Sequence, residues 1–403
     1  MVRDQINKKM LALLSTGHMI TDISQGALPI ILTAAKPLFG LSDMQVGLTV
    51  LVFNLSSSVI QPLFGALSDR FLLAWLVPLG CLLAGFGMAL TGYSPNYGLL
   101  LLATLISGLG VAAYHPEGSK FARYFSGARK ATGMSFFSVG GNVGFAVGPL
   151  LASLLLALAG QPGTAGLALV SGTMALVLWS SLSRLKSAGV QVRDSGSQAK
   201  TDNPAEKPRI ALRVIVALTL LLTVVVIRSW INLGIATFLP QYYVYYLRES
   251  SVLAAVLTSV YLFGGAIGTL VGGRLADRWG LKTVIIISMA LLPPLIYLLT
   301  IATGIWSFLV MVCTGFAVIS TFAVTVVFGQ ELLPNNVGLA SGLTLGLGIG
   351  LGGVGTTVLG WVADLYGLPA MFHAMAVFPI AGLLLTLFLP GRREMRNREA
   401  ESR

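Results

Sequence analysis

Long apolar runs constrain the fold of this chain more than any other feature. Runs of about twenty mostly apolar residues, each long enough to cross a bilayer as an α-helix, recur from residue 9 to residue 389. Their number and length predict an all-α polytopic membrane protein. The twelve expected spans are 9–36, 44–67, 71–91, 97–120, 130–158, 164–184, 211–246, 252–276, 281–301, 305–330, 336–364 and 368–389.

The spans divide into two sets of six, which predicts two helical domains. Residues 1–184 form the first domain and residues 211–390 the second. The segment between them, 185–210, is polar and poor in apolar residues, so we expect a cytoplasmic linker. Residues 391–403 are charged and predict a cytoplasmic tail.

The charge pattern indicates a membrane topology and argues against nucleic-acid binding. The chain is 55% hydrophobic and only 10% charged, with a formal net charge of +11, whereas soluble proteins have about 25% charged residues. Basic residues gather in alternate connections, while the connections around 91–95, 159–164 and 300–304 carry no charge. This alternation follows the positive-inside rule and predicts that both termini are cytoplasmic.

A short motif occurs near the end of one span in each half. Residues 273–282 read GRLADRWGLK, and residues 65–70 read GALSDR, about half the chain earlier. In the longer copy we expect Gly273 to allow close helix packing and Gly280 to break the helix. A membrane unit that is used twice is typical of transporters.

The motif at 273–282 resembles the signature of the major facilitator superfamily, and the resemblance covers nearly the whole chain. It implies the major facilitator fold, with twelve transmembrane helices in two pseudo-symmetric six-helix halves that alternate access to a central site. The first copy departs from the signature after Arg70. The resemblance assigns conformational gating to Asp69, Arg70, Gly273, Asp277 and Arg278.

Four further segments are distinctive: 22–29, 50–58, 61–65 and 114–118, the last reading YHPEG. Together they look like the fosmidomycin-resistance family of bacterial drug exporters. This resemblance implies proton-coupled export of a small anion, such as a phosphonate antibiotic, across the bacterial cytoplasmic (inner) membrane. The second interpretation is a proton symporter or uniporter for a small anionic metabolite. We expect a monomer whose partners are the substrate, protons and membrane lipid.

The first span carries a polar face deep in the membrane. His18, Asp22 and Gln25 are spaced so that they lie on one side of a helix. Asp22 is roughly 20 Å from the start of the span, where an ionised carboxylate costs at least ~2.5–3.5 kcal/mol unless it is paired or hydrated. We predict that Asp22 carries a proton and that His18 and Gln25 bind substrate. The alternative is a structural hydrogen bond to a neighbouring helix.

The seventh span places Arg228 and Asn232 at a similar depth, roughly 22 Å for Arg228. A planar guanidinium suits a phosphonate because it can donate two parallel hydrogen bonds. We therefore predict that both residues bind substrate. We further hypothesise that Asp22 and Arg228 pair in one state, and that protonation or an arriving anion separates them. The alternative is a fixed salt bridge.

The fourth span ends in a group of polar residues around a proline. Pro116 tends to kink the helix and would direct His115 and Glu117 inward. His115 titrates near physiological pH in its ordinary state, so proton coupling is predicted for it. Glu117 is predicted either to share that role or to brace the helix end by pairing with Lys120 or Arg123. We assign Tyr114, next to His115, to substrate binding.

The fifth span has small residues on one face. Gly140, Gly144 and Gly148 are four residues apart and allow close contact with another helix. Pro149 follows and bends the helix end. The stretch resembles the antiporter motif of the superfamily, so Gly144, Gly148 and Pro149 are assigned to gating and Asn142 to substrate binding.

The second span carries another polar face, formed by Asn54, Ser58 and Gln61 at spacings of four and three. These residues are predicted either to line a substrate cavity or to bind the eleventh span. We assign Asn54 and Gln61 to substrate binding.

Other classes of protein lack support in the sequence. No convergent set of nucleophile, base and metal ligands is visible, so we expect no enzyme and no metal site. The phosphate-binding loop of ATP-driven pumps is absent, so the expected energy source is the proton gradient, without a cofactor. Cys81 and Cys313 lie in separate apolar runs and are expected to be buried structural thiols.

Overall fold

A computed structural model of the chain is almost entirely helical in the residues it describes. These are 6–71, 73–127, 129–196, 212–333, 340 and 342–391, without the side chains of 66, 68–70, 131, 191–196, 345–347 and 349. The α-helices are α1 (Lys8–Phe39), α2 (Asp43–Asn54), α3 (Gln61–Arg70), α4 (Leu76–Leu90), α5 (Tyr97–Phe125), α6 (Lys130–Ala159), α7 (Ala165–Ser180), α8 (Leu182–Gly196), α9 (Leu212–Gln241), α10 (Ser251–Trp279), α11 (Leu281–Ile301), α12 (Ile305–Leu332), α13 (Gly348–Tyr366), α14 (Leu368–Met375) and α15 (Phe378–Leu387).

Ten helical segments in the described part are long and apolar enough to cross a membrane. They coincide with the second to tenth and the twelfth predicted spans. The first predicted span, α1, has 32 residues and carries the polar face of His18, Asp22 and Gln25. The eleventh is described at residue 340 and from residue 342 onward. The all-α, multi-pass class predicted from the sequence is confirmed.

Several predicted spans are not single α-helices. The sixth runs from α7 into α8, and the seventh ends in a π-helical turn at Tyr242–Tyr246. The second consists of α2, a π-helical turn at Leu55–Val59, and α3, which has a proline in its first turn. The twelfth is divided into α14 and α15 just before Pro379. Proline lacks a backbone N–H and clashes with the preceding turn, so an α-helix commonly restarts at this residue. Hydropathy alone does not reveal such breaks.

The chain forms two compact units. One comprises residues 1–35 and 55–208, and the other residues 36–54 and 209–403. The second unit therefore includes the last turn of α1 and all of α2. The predicted division at a central linker stays a prediction: residues 185–196 of that linker belong to helix α8, and the rest lies outside the described residues. All of the predicted tail after Gly391 also lies outside them.

In the first unit, α1 and α6 lie in backbone contact. A Cβ atom on Gly140, Gly144 or Gly148 would collide with the α1 carbonyl groups of residues 15, 19 and 23, respectively. The side chain of Ser15 also donates a hydrogen bond to the carbonyl of Phe136 at 2.8 Å. The close packing predicted from the glycine spacing is thus confirmed, and it holds the polar face of α1 against α6.

In the second unit, α2 packs on α13 in a similar way. A Cβ on Gly47 would collide with the carbonyl of Thr356, whose hydroxyl donates to the Gly47 carbonyl at 3.0 Å. The carboxylate of Asp364 accepts the N–H groups of Asp43 at 2.6 Å and Met44 at 2.9 Å. Because the first N–H groups of a helix lack intrahelical partners, Asp364 acts as an N-terminal cap of α2 from another helix.

The motif at 273–282 forms the end of α10 and the start of α11. Gly280 has a φ angle of 93° and ends α10, as predicted. Lys282 donates hydrogen bonds at 2.7 Å to the carbonyls of Leu387 and Leu389 at the end of α15. The prediction that Gly273 allows close packing is wrong, because a Cβ there would meet no described atom within 4 Å.

Candidate functional site

A cluster of one buried aspartate and two partly buried histidines lies in the first unit. His18 and Asp22 are one turn apart on α1, and His115 reaches them from α5. The Nε2 atom of His115 lies 2.8 Å from Oδ1 of Asp22, and the Nε2 atom of His18 lies 3.2 Å from Oδ2. Asp22 is 8% exposed. Both carboxylate oxygens of a buried aspartate therefore have an imidazole partner.

Phe137 on α6 fixes the orientation of His18. The two rings are stacked, with centroids 4.2 Å apart and an interplanar angle of 18°. The backbone carbonyl of Phe137 lies 2.9 Å from Nδ1 of His18. The ring of His115 meets that of His18 edge-on at 4.9 Å. These contacts leave the His18 ring with Nε2 directed at Asp22.

Gly141 completes the cluster and was missed by the sequence analysis. A Cβ on this residue would lie 2.6 Å from Nε2 of His18 and 2.7 Å from Oδ2 of Asp22. Any larger residue would thus press on the contact between His18 and Asp22. The only signal in the sequence is that Gly141 follows Gly140, and nothing in the glycine spacing distinguishes the two.

The remaining candidates on α1, α5 and α6 have different surroundings. Tyr114 is fully buried and donates its hydroxyl to the carbonyl of Leu14 on α1 at 2.7 Å. This bond connects α5 to α1, so the predicted substrate contact of Tyr114 stays a prediction. Gln25 on α1 and Asn142 on α6 are half-buried in the same unit.

Glu117 lies in a separate pair on α5. The residue is fully buried, and Lys120 donates to its Oε1 at 2.8 Å. Of the two alternatives drawn from the sequence, the structure therefore contains the pairing with Lys120. Proton coupling by Glu117 stays a prediction. α5 continues as one helix from Tyr97 to Phe125 despite Pro116.

Arg228 is a buried cation in the second unit. It is 4% exposed, and its Nη2 lies 3.3 Å from the hydroxyl of Ser229. The guanidinium lies 5.2 Å from the ring centre of Phe322, and its Nε has no hydrogen-bond acceptor. No described residue of this unit forms an ion pair with it. The hypothesised pairing with Asp22, a residue of the first unit, stays a prediction.

Asn232 lies one helical turn after Arg228 on α9. Its Oδ1 accepts a hydrogen bond from the hydroxyl of Tyr261 at 2.8 Å. Since the carbonyl end of the amide is used, the NH2 end remains as a donor. Tyr261 is fully buried on α10 and was missed by the sequence analysis, because a contact between two helices has no signature in either one.

The predicted polar face of the second span is not one regular helical face. Asn54 ends α2 and donates to the carbonyl of Val50 at 2.8 Å, whereas Gln61 begins α3. The π-helical turn between them has a wider spacing than an α-helix, so residues four and three apart do not align there as predicted. Their predicted role in substrate binding stays a prediction.

The predicted gating residues lie at helix ends or along α6. Asp69 and Arg70 end α3, but their side chains lie outside the described part of the structure. Asp277 and Arg278 are exposed in the last turn of α10. Pro149 is buried within α6. Gating by all of these residues, including Gly144, Gly148 and Gly273, stays a prediction.

A metal could be accommodated at one place among the described residues. The donor atoms of His18, Asp22 and His115 lie within 4.8 Å of one another. Their mutual contacts, at 2.8 Å and 3.2 Å, have the lengths of hydrogen bonds. Protons satisfy this arrangement, and we assign no metal to it. Of the two cysteines, Cys81 is buried as predicted, but Cys313 is exposed, which corrects the prediction for that residue.

These features define a class of protein. The chain is a multi-pass helical membrane protein that has a buried aspartate with two histidine partners in one unit and a buried arginine in the other. Ionisable groups inside membrane spans are expensive and mark the pathways of ions and substrates. Such an arrangement is that of a transporter.

Comparison with known proteins specifies the family. The chain belongs to the major facilitator superfamily, whose family model matches residues 14–354 and 250–403. The fosmidomycin resistance protein of Escherichia coli (strain K12) is 33% identical over 388 residues, which cover 95% of this chain and 93% of the relative. The uncharacterized MFS-type transporter YfnC of Bacillus subtilis (strain 168) is 33% identical over 392 residues, which cover 96% and 94%.

The fold agrees with this assignment. A crystal structure of a bacterial homologue of the human lysosomal transporter Spinster matches with a TM-score of 0.75 and 14% identity, covering 95% of this chain and 97% of that chain. The predicted major facilitator fold is therefore confirmed, and so is the resemblance to the fosmidomycin-resistance family. The chain is a transporter and not an enzyme.

Proposed function

We propose that this transporter exports a small anionic drug such as fosmidomycin in exchange for protons, by alternating access. The observation that carries the proposal is the buried contact of Asp22 with His18 and His115. A buried carboxylate with two imidazole partners can exchange a proton with them, which is the chemistry of a proton relay inside a membrane. Proton movement through such a group is what an antiporter needs in order to use the proton gradient without a cofactor.

Arg228 is the proposed anchor for the anion. It is buried, and no described residue of its unit neutralises its charge. A buried unpaired charge is costly, so an incoming oxyanion would gain a charge-assisted hydrogen bond that water provides poorly at this depth. The NH2 group of Asn232, one turn away, offers a further donor. Together they favour a substrate with several acceptor oxygens, such as a phosphonate.

The 33% identity to the fosmidomycin resistance protein of E. coli supports fosmidomycin as the substrate and export as the direction. We further propose that the protein acts as a monomer in the bacterial cytoplasmic (inner) membrane with both termini in the cytoplasm. The positive-inside pattern of its connections supports this orientation. Its partners are then the substrate, protons and lipid, and nucleic acid is not among them.

The test is proton movement in proteoliposomes under an imposed pH gradient. Fosmidomycin is added to vesicles containing the native protein, the Asp22→Asn variant, or the control Glu249→Gln, which removes an exposed carboxylate. We expect the drug to drive a proton flux in the opposite direction with the native protein and the control. The flux should be lost with Asp22→Asn, which cannot take up the proton.

Two results would contradict the proposal. No drug-dependent flux with folded, reconstituted native protein would remove fosmidomycin as the substrate. Protons that move in the same direction as the anion would favour the alternative of a proton symporter for a small anionic metabolite.

A further inference from the structure

The two ring nitrogens of His18 have unlike partners. Nδ1 lies 2.9 Å from the backbone carbonyl of Phe137. A carbonyl oxygen only accepts hydrogen bonds, so Nδ1 must carry a hydrogen. If the imidazole is neutral, its second nitrogen, Nε2, is then bare and can only accept.

An unprotonated Nε2 of His18 is incompatible with its neighbour, the ionised carboxylate of Asp22. Nε2 lies 3.2 Å from Oδ2 of Asp22, and the carboxylate oxygen of an ionised aspartate is also only an acceptor. Two lone pairs at this distance repel each other inside a buried site, where electrostatic interactions are strong. The observed contact is attractive only if one additional proton lies between the two atoms.

His115 does not provide this proton. Its Nε2 lies 2.8 Å from the other oxygen of Asp22, Oδ1. The hydrogen on that nitrogen is used in that bond, which a neutral His115 can make. With both histidines neutral and Asp22 ionised, the cluster has a charge of −1 and one repulsive contact. With one more proton it is neutral and both contacts are hydrogen bonds.

The other titratable side chains described near the pair are also engaged elsewhere. Tyr114 on α5 donates its hydroxyl to the carbonyl of Leu14. The thiol of Cys81 on α4 is directed at the carbonyl of Ser171, 3.9 Å away. From α6 the pair meets Phe137, whose side chain does not titrate, and Gly141, which has no side chain. The proton therefore belongs to His18 and Asp22.

We propose that the transported proton is held between Nε2 of His18 and Oδ2 of Asp22, and that the carbonyl of Phe137 makes its presence obligatory for this geometry. His18 is then a proton carrier, where the sequence suggested a substrate contact. The claim that this proton is the one exchanged for substrate rests on the proposed function, whereas the presence of the shared proton does not depend on that function. On release the proton passes to water, the N–H bond at Nε2 is broken, and the cluster becomes negatively charged.

Release of the proton also has a mechanical consequence. The contact between His18 and Asp22 changes from attractive to repulsive, so the two side chains must separate. Stacking on Phe137 and the backbone contact at Gly141 restrict the ring on the α6 side. Loss of the proton would therefore push α1 and α6 apart. These are the two helices that pack closely at Gly140, Gly144 and Gly148.

The protonation state can be measured directly because the chain has only three histidines. Native protein labelled with ¹⁵N in histidine gives three pairs of ring signals, which His115→Gln and His373→Gln assign by loss. The ¹⁵N shift distinguishes a protonated from a bare nitrogen. Labelling aspartate with ¹³C at the carboxyl carbon reports whether Asp22 is ionised, with Asp22→Asn for assignment.

At pH 7.5 we expect both His18 nitrogens to be protonated, or Nε2 to accept a hydrogen bond from a protonated Asp22. In Asp22→Asn the additional proton should be lost and Nδ1 should keep its hydrogen. A bare Nε2 beside an ionised Asp22 in the native protein would overturn the inference. So would a His18 spectrum that Asp22→Asn leaves unchanged.

A transport assay distinguishes a residue that carries the proton from a residue that contacts the substrate. His18→Gln can still donate to Asp22 but cannot take up a proton, and His373→Gln is the matched control. We expect His18→Gln to lose substrate-driven proton flux and to keep exchange of substrate for substrate, which moves no net proton. Loss of both activities in a folded variant would identify His18 as a substrate contact and overturn its role as carrier. If fosmidomycin drives no proton flux but the native spectra show the shared proton, fosmidomycin is excluded as the substrate. The inference of a shared proton is then still supported.

Discussion

Replacing Gly141 by alanine should weaken proton binding although no titratable group is replaced. The added methyl would lie 2.5 Å from Cε1 of His18, 2.6 Å from its Nε2 and 2.7 Å from Oδ2 of Asp22. Ordinary contact begins at 3.4 Å, so the ring must retreat by about 0.9 Å. The helices cannot easily separate instead, because Gly140 and Gly144 hold α6 against α1 on either side.

The size of the effect follows from the bond that is lost. A shift of this size stretches the 3.2 Å contact between Nε2 and Oδ2 toward 4 Å, beyond hydrogen-bond range. A hydrogen bond that involves a charged group contributes about 1.5–3 kcal/mol. This bond exists only in the protonated cluster, so its loss favours release. At about 1.4 kcal/mol per pH unit, the pH of half-maximal proton binding should fall by about 1 to 2 units.

The assay is substrate-driven proton flux measured as a function of pH, together with the ¹⁵N signal of Nε2 in His18. Gly172→Ala on α7 is the matched control, because its Cβ would have only one neighbour, at 3.9 Å, and it gains the same helix propensity. The control should retain the native midpoint. If Gly141→Ala has the native midpoint as well, the contact between His18 and Asp22 does not hold the proton.

Three further predictions concern the second unit. Asp364→Ala removes the cap of α2 and should destabilise that helix end by about 0.5–2 kcal/mol. The first two amides of α2 should then exchange hydrogen faster, and unchanged exchange would contradict the capping role. Lys282→Gln should loosen the end of α15 and lower the melting temperature, with Lys282→Arg as the control; equal melting of both variants would show that the charge is unimportant. Arg228→Lys loses a bidentate donor and should raise KM for a phosphonate by about 10- to 150-fold, corresponding to about 1.5–3 kcal/mol. KM for an uncharged substrate should change little. An unchanged KM for the phosphonate would exclude the guanidinium as the anchor.

The fold was largely predictable because membrane spans are defined by their own composition. Apolar runs located ten of the helical segments, since a helix in lipid satisfies its backbone internally and needs only an apolar surface. The breaks at Leu55–Val59 and before Pro379 were not predicted, because a π-helical turn or a short interruption leaves hydropathy unchanged. The exposure of Cys313 was missed for a related reason: lipid-facing and buried positions are equally apolar.

The candidate site was predictable only where its residues are close together in the sequence. His18 and Asp22 are four residues apart on one helix, so their adjacency followed from helical periodicity. The approach of His115 from α5 depends on tertiary packing, and the sequence identified it only as a separate candidate. Gly141 matters for the space it leaves empty, and a missing side chain gives no chemical signal. Such residues become visible only when the neighbouring helix is in place.

The two units are joined by more than a linker. The chain passes between them after residue 35, after residue 54 and after residue 208. The first passage lies within α1 and the second at the start of the π-helical turn Leu55–Val59. A π-helical turn has i→i+5 hydrogen bonds in place of the i→i+4 bonds of an α-helix, and such turns are rare and frequent at functional sites. We therefore expect a single-residue deletion within Leu55–Val59, which would restore regular α-helical bonding, to lower the transport rate measured in proteoliposomes.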